Sequence, residues 1–230
     1  MSQSTVLITG ANRGIGLKFA EEYLKLGWHV IATCRNPSHA NKLNQLAKDF
    51  GSIEIYPLEV SNSDQIHELA DALKNKPIDV LINNAGIHRS CTLGSIDKQA
   101  WLESFAINSI APYEVTIHLL DNILQGSLKK VISITSKMGS IDDNTSGGSY
   151  IYRSSKTALN SIMRSLEHDL GHHGIATLTL HPGWVKTDMG GMGAWINVDE
   201  SVAGMIKQIE KLNLSNAGRY VDYAGKKINW

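Results

Sequence analysis

With 230 residues and 42% hydrophobic side chains, the chain can bury one substantial core without needing a second, so residues 1–230 are expected to form a single domain. Lys plus Arg and Asp plus Glu each total 22, a balance that argues against nucleic acid or an anionic membrane as partner and points to small molecules. Cys34 and Cys91 are too few for a disulfide framework or a paired-cysteine zinc site, and neither a leader-like segment nor an apolar run of membrane-spanning length is evident, so a cytoplasmic location is expected.

The first β-branched run, Thr5 to Thr9, predicts a strand. It leads into Thr9-Gly10-Ala11-Asn12-Arg13-Gly14-Ile15-Gly16, after which Ile15, Phe19, Tyr23 and Leu26 recur at helical spacing. A glycine-rich turn opening a helix allows close backbone approach and offers free N–H groups at the positive helix end, which suits a pyrophosphate. A purely structural turn would use the same glycines. The second strand, His29 to Thr33, runs into Cys34-Arg35, where a site for the ribose 2′-hydroxyl usually carries an acid. None is present. Arg35 with Arg13 could instead bracket a 2′-phosphate by forked, charge-assisted hydrogen bonds, unless both are ordinary surface charges.

Further strands are predicted at Ile53 to Leu58 and Asp79 to Ile82, then a helix whose apolar face is Trp101, Phe105, Ala111, Val115 and Leu119. Asn108 interrupts that face. A mid-helix Asn is disfavoured, and it either distorts the helix, holds a water or points to solvent. Val131 to Thr135 is the next strand, with Ser136 just beyond it, followed by the polar stretch Ser140 to Ser149. A long helix carries Leu159, Ile162, Met163, Leu166 and Leu170, and near its start Tyr152 and Lys156 stand four apart on one face. An ammonium beside a phenol favours the phenolate and brings its pKa from ~10 toward working pH, although Tyr-x-x-x-Lys is also common on surface helices. After a strand at Ala176 to Leu180, the glycine-bearing segment Asp188 to Asn197 precedes a helix from near Val198. Strands and helices in rotation predict an α/β fold, a doubly wound parallel sheet covered on both faces, with ligands at its carboxyl edge.

Taken together, Thr9 to Gly16, Asn83-Asn84-Ala85-Gly86, Asn108, Ser136, Tyr152-Arg153-Ser154-Ser155-Lys156 and Pro182-Gly183-Trp184-Val185-Lys186-Thr187 resemble the short-chain dehydrogenase/reductase superfamily over nearly the whole chain. Met138-Gly139-Ser140-Ile141, Gly147-Gly148-Ser149-Tyr150 and Trp230 resemble the C-factor and Sniffer-like carbonyl reductases within it. The resemblance implies a single-domain Rossmann fold of about seven strands and an NADP(H)-dependent oxidoreductase acting on carbonyls or alcohols. It further implies Tyr152 as general acid/base, Lys156 on the nicotinamide ribose, Ser136 orienting the carbonyl and Asn108 positioning a relay water.

Cofactor contacts are then expected from Gly10, Asn12, Arg13, Gly14, Ile15, Gly16, Arg35, Glu59, Val60, Asn83, Ala85, Gly86, Tyr152, Lys156, Pro182, Gly183, Val185 and Thr187. Two departures from the family pattern stand out. Glu59-Val60 replaces the usual Asp-Val after the third strand, leaving the contact of Glu59 uncertain, and the gap between Ser136 and Tyr152 is long, as in Sniffer-like relatives. The short lid position at about 187–197 suggests an open site. Ile87, Met138, Trp184, Met192 and Trp195 would give it an apolar surface for a hydrophobic aldehyde or ketone.

His168 and His172 have metal-ligand spacing but no third ligand nearby, and His181 reads as a packed or capping residue, so no metal is expected. No Gly-x-Ser-x-Gly elbow occurs. Relatives associate through the helices centred here on Asn108 and Leu159, which implies a homodimer or homotetramer. Two rival readings are an NADP(H)-binding regulator with little turnover and an NAD-dependent alcohol dehydrogenase working in the oxidative direction.

Overall fold

Seven strands, β1 (Thr5–Ile8), β2 (His29–Cys34), β3 (Ile53–Pro57), β4 (Val80–Asn83), β5 (Lys130–Ile134), β6 (Ala176–His181) and β7 (Arg219–Asp222), form one fully parallel sheet ordered β3-β2-β1-β4-β5-β6-β7. This is the computed structural model of the chain, describing residues 3–191 and 193–230. Met192, expected at the substrate site, lies outside the described residues.

The central strands alternate side chains between two cores, as the two-residue period of a strand requires. Val6, Ile8, Val30, Ala32, Val80, Ile82, Ile132 and Leu178 enter one core; Leu7, Ile31, Leu81 and Val131 enter the other. Both faces are therefore apolar, which explains why the strand sequences read as continuous rather than alternating hydrophobic runs.

The first core is closed by α1 (Gly14–Lys25) through Phe19 and Tyr23, by α2 (Asn41–Phe50) through Leu43, and by a helix near the end of the chain. The second is closed by α3 (Ser63–Ala72) through Ile66 and Leu69, and by α5 (Ala111–His118), α6 (Leu120–Gln125) and α7 (Tyr150–Gly171), with α4 (Lys98–Phe105) packed on α7. The helix that completes the first core is α8 (Val198–Lys211), with Val202 and Met205 buried. The doubly wound, single-domain arrangement expected from the sequence is thus present. Strand order reverses at β1, so the β1 and β4 connections leave to opposite sides and open a crevice at the carboxyl edge.

The expected helix through Trp101 to Leu119 is not continuous. It is divided by a π-helical turn at Ala106–Ile110, with Asn108 wholly buried inside it. The carboxamide is the physical reason: its bonds reach out of the helix to neighbouring elements, and Pro112 just after the turn has no N–H to continue the ladder. Three elements fell outside the periodicity analysis. The α2 helix buries only Leu43, α3 only Ile66 and Leu69, and edge strand β7 only its two middle residues.

Candidate active site

The turn after β1 sits against β4. Ala11 N–H donates to the Thr33 carbonyl (2.9 Å), tying the turn to β2, while Asn84 Nδ2 donates to the carbonyls of Thr9 (2.8 Å) and Gly10 (3.1 Å). Thr9 Oγ1 in return accepts from the N–H groups of Asn84 and Ala85, both at 3.0 Å. This crossed network leaves no room at Gly16, where a Cβ would strike the Gly10 carbonyl oxygen and Asn84 Nδ2. Gly10 has φ +66°, in the left-handed region. At the start of α1, Arg13 provides no side-chain cap and the first turn carries no acid, so the helix presents its positive end and unpaired N–H groups to an incoming anion.

From this turn a cleft of ≈ 410 Å³ runs along the carboxyl edge to α7. Gly10, Asn12, Arg13, Gly14, Ile15 and Gly16 form one end; Arg35, Glu59 and Val60 form the wall beyond β2 and β3. Ala85, Gly86 and Ile87 follow β4, Tyr152 and Lys156 come from α7, and Pro182 and Thr187 lie beyond β6. Those residues the structure brings together. Asn83 it does not: its side chain points into the core, where Nδ2 donates to the Pro112 carbonyl and Thr116 Oγ1, and Asn84 faces the cleft instead. Gly183 and Val185 also lie outside the lining, the first packed against Ile196 and Tyr223 and the second bridged to Ile196.

Arg13 and Arg35 are both exposed and already have acidic neighbours. Arg13 Nη1 lies 3.2 Å from Asp188 Oδ2, and Arg35 Nη1 lies 3.8 Å from Glu59 Oε2. Such exposed pairs are weak, on the order of 0–1 kcal/mol, so an incoming dianion can displace them. Glu59 is also held by Ser61, whose N–H and hydroxyl both donate to Oε1.

At the other end, α7 puts Tyr152 and Lys156 one turn apart, both buried. Lys156 Nζ donates to the Ile134 carbonyl at the end of β5 (2.9 Å), and burial draws its pKa down to about 8. Burial pushes the Tyr152 phenol up to about 12, an effect the neighbouring Ser136 hydroxyl partly offsets. Burial, rather than the ammonium anticipated from the four-residue spacing, dominates the tyrosine in this structure. Ser136 caps the short turn after β5, its Oγ accepting from Met138 N–H (3.2 Å), and is itself almost wholly buried.

Asn108 binds three ways. Its Oδ1 accepts from Ile87 N–H (2.9 Å), while Nδ2 donates to the Ile87 carbonyl (2.9 Å) and to Ser155 Oγ (3.0 Å). Gly86 is wedged between Asn108 Oδ1 and Lys156 Nζ, where a Cβ would come within 3.1 Å of the first and 3.6 Å of the second.

Sequence reasoning passed over His88, whose ring lies 4.6 Å from that of Tyr152 and whose pKa is lowered by partial burial there. A polar residue directly after the Asn83 to Ile87 run was the available signal. Of the expected substrate residues, Ile87 lines the cleft and Met138 does not. Trp184 and Trp195 stack edge-to-face on each other at 5.3 Å, exposed and outside the lining, with Trp184 Nε1 held by the Gly190 carbonyl. Met189, not anticipated, lines the cleft. His181 is packed, its pKa drawn to about 4 by burial. No group of three metal-ligating side chains occurs among the described residues, and none of the described helices is long and apolar enough to cross a membrane.

The short chain dehydrogenase family model matches residues 4–193. The C-signal protein of Myxococcus xanthus is 46% identical over 155 residues, covering 67% of this chain and 93% of that protein. An NADPH-bound carbonyl reductase from chicken fatty liver superposes with a TM-score of 0.94 at 36% identity, and the carbonyl reductase Sniffer of D. melanogaster with 0.94 at 35%; each comparison covers 100% of both chains.

The burial of Lys156 has a thermodynamic consequence. Its lowered pKa means that between about pH 8 and 10.5 the unfolded chain holds a proton the folded chain has released, so wild-type stability gains from this residue as pH rises through that window. Lys156→Met is expected to raise the thermal midpoint of the apoprotein at pH 7, with the advantage narrowing above pH 8. Melting curves at both pH values check this; a lower midpoint for the variant at pH 7 contradicts it.

Proposed function

The chain belongs to the short-chain dehydrogenase family, and on that premise we propose that it reduces aldehyde or ketone carbonyls, or oxidises the corresponding alcohols, with NADP(H) as coenzyme. The observation that carries this reading is the cleft itself, which joins a glycine turn at a helix N-terminus to buried Tyr152 and Lys156. The coenzyme fits the residues present. Gly10 and Gly16 let the turn pack tightly against β4 so that the uncapped start of α1 faces the cleft and suits a pyrophosphate, no acid ends β2, and Arg13 and Arg35 offer displaceable guanidinium groups for a 2′-phosphate.

When bound, NADPH supplies the hydride. The protein's contribution is position and proton. Ser136 donates a hydrogen bond to the substrate oxygen, and Tyr152 holds the proton that this oxygen takes up on reduction. Its raised pKa, a consequence of burial, keeps it protonated until the substrate arrives. Lys156 would hold the nicotinamide ribose and, in its ammonium form, draw the Tyr152 pKa down. Asn108 ties the loop at Ile87 to α7, from where it would position the relay water. Val60 would pack at the adenine end, and Asn83, Gly183 and Val185 would act on the coenzyme through backbone or packing.

The segment 187–197 serves as a short substrate lid. It is closed on itself by Lys186 N–H to the Ile196 carbonyl and Gly191 N–H to the Thr187 carbonyl, which leaves the site open to bulky hydrophobic carbonyls passing Ile87 and Met189. Leu102, Ile110, Tyr113 and Ile117 form an exposed apolar strip along α4, the π turn and α5, which supports a homodimer or homotetramer built through these helices and α7. With two free, buried cysteines, the protein is assigned to the cytoplasm.

Fluorescence titration followed by NADPH consumption with aldehydes, ketones and quinones tests the reading. Wild type is expected to prefer NADPH over NADH, and Arg35→Ala to weaken NADPH about tenfold while sparing NADH. Tyr152→Phe is expected to bind NADPH normally and lose kcat by about 10³-fold. Tight NADPH binding with no turnover favours a regulator, and preference for NADH overturns the arginine assignment. Sedimentation of wild type is expected to give a dimer or tetramer that Ile110→Lys dissociates; a wild-type monomer rejects the assembly.

A further inference from the structure

The loop after Ser136 is long and irregular, running to the start of α7 at Tyr150, and something must hold its first residues still. The hold comes from outside the cleft. Edge strand β7 turns back through residues 222–226, with Asp222 Oδ1 accepting from the N–H groups of Ala224 and Lys226, and Ile228 N–H returns to the Tyr220 carbonyl (2.9 Å). This places residues 228–230 over the Ser136 loop. The Trp230 carbonyl accepts from Asp142 N–H (3.2 Å) and Ser140 Oγ (3.4 Å), and Asn229 Nδ2 donates to Asp142 Oδ2 (2.7 Å).

Beneath this strap, Tyr220 is 2% exposed, with the Trp230 ring 5.2 Å away at 34°. Its phenol donates to the backbone carbonyl of Ser136 at 2.6 Å, and the same carbonyl accepts from Gly139 N–H at 2.8 Å. One residue earlier, Thr135 N–H is bound to the Leu180 carbonyl and Thr135 Oγ1 to Asn160 Oδ1. The peptide on each side of the Ser136 Cα is therefore fixed, and Ser136 Oγ accepts from Met138 N–H, which leaves its own proton free for another acceptor. Tyr220 is absent from the cleft lining.

We infer that Tyr220, seated by Trp230, is a positioning residue for Ser136, holding the serine backbone so that its hydroxyl stays aimed at the substrate oxygen and the Tyr152 phenol. The inference rests on the roles proposed above for Ser136 and Tyr152. Burial raises the Tyr220 pKa, so the donor stays protonated throughout the working range. Placement matters because a misplacement of about 1 Å at a reacting group can cost 10²-fold in rate.

A double-mutant cycle separates this role from ordinary packing. Tyr220→Phe keeps the ring and removes only the donor; it is expected to lower kcat about tenfold with NADPH affinity unchanged. In a Ser136→Ala background the same change is expected to cost less than twofold, because the group it positions is gone. Trp230→Leu, which leaves the Tyr220 hydroxyl but loosens its seat, is expected to follow the same pattern with a smaller loss. It decides the matter by the same criterion if Tyr220→Phe does not fold.

Full kcat in Ser136→Ala alone, or no turnover by wild type, overturns the catalytic reading and this inference with it. An impaired Ser136→Ala alongside a Tyr220→Phe within twofold of wild type overturns the inference alone. So does a loss of equal factor in both backgrounds.

Discussion

The buried carboxamide of Asn108 cannot be satisfied within a regular helix, and the surrounding architecture answers that constraint. Its oxygen and nitrogen grip both backbone groups of Ile87 after β4 and the hydroxyl of Ser155 on α7. An unpaired amide at this depth would cost on the order of 1–3 kcal/mol, so the three elements are locked together wherever the amide is satisfied. The helix yields by widening into a π turn. The loop following the switch point and the helix carrying Tyr152 and Lys156 thereby acquire one fixed relation across the cleft.

That relation has an electrostatic cost. Lys156 is buried with one carbonyl as its hydrogen-bond partner, and Tyr152 sits where burial opposes its ionisation. Burial disfavours the charged form of both groups, a pattern typical of residues arranged for chemistry rather than for stability. At the opposite end of the cleft the charges are exposed and loosely paired, Arg13 with Asp188 and Arg35 with Glu59. One end is rigid and dry; the other is wet and exchangeable. A ligand with a reactive ring at one extremity and phosphates at the other meets each environment in the matching place.

Much of this could be read in the sequence because the physics is local. Strand followed by glycine turn followed by helix, and Tyr152 four residues before Lys156, are short-range patterns that the fold preserves. Asn108 announced itself as a polar residue in an apolar face. What escaped is set by distant contacts. Nothing in Asn83-Asn84 says which amide faces the cleft; that follows from the alternation of β4, which sends Asn83 toward Thr116 and leaves Asn84 to brace the glycine turn. Similarly, β7 buries too little to stand out, and the bond from Tyr220 to Ser136 spans most of the chain's second half. Trp184 and Trp195 drew attention as large aromatics, yet they satisfy each other outside the cleft.

The central claim is that this cleft delivers a hydride to a carbonyl carbon held by Ser136 and Tyr152. The most direct measurement is mass spectrometry of the alcohol formed from an aromatic aldehyde with NADPH deuterated at the transferable position of the nicotinamide. The account predicts one deuterium on the carbinol carbon, retained when the reaction runs in ordinary water. An alcohol product carrying no deuterium, or one that acquires it only from deuterated solvent, would contradict it.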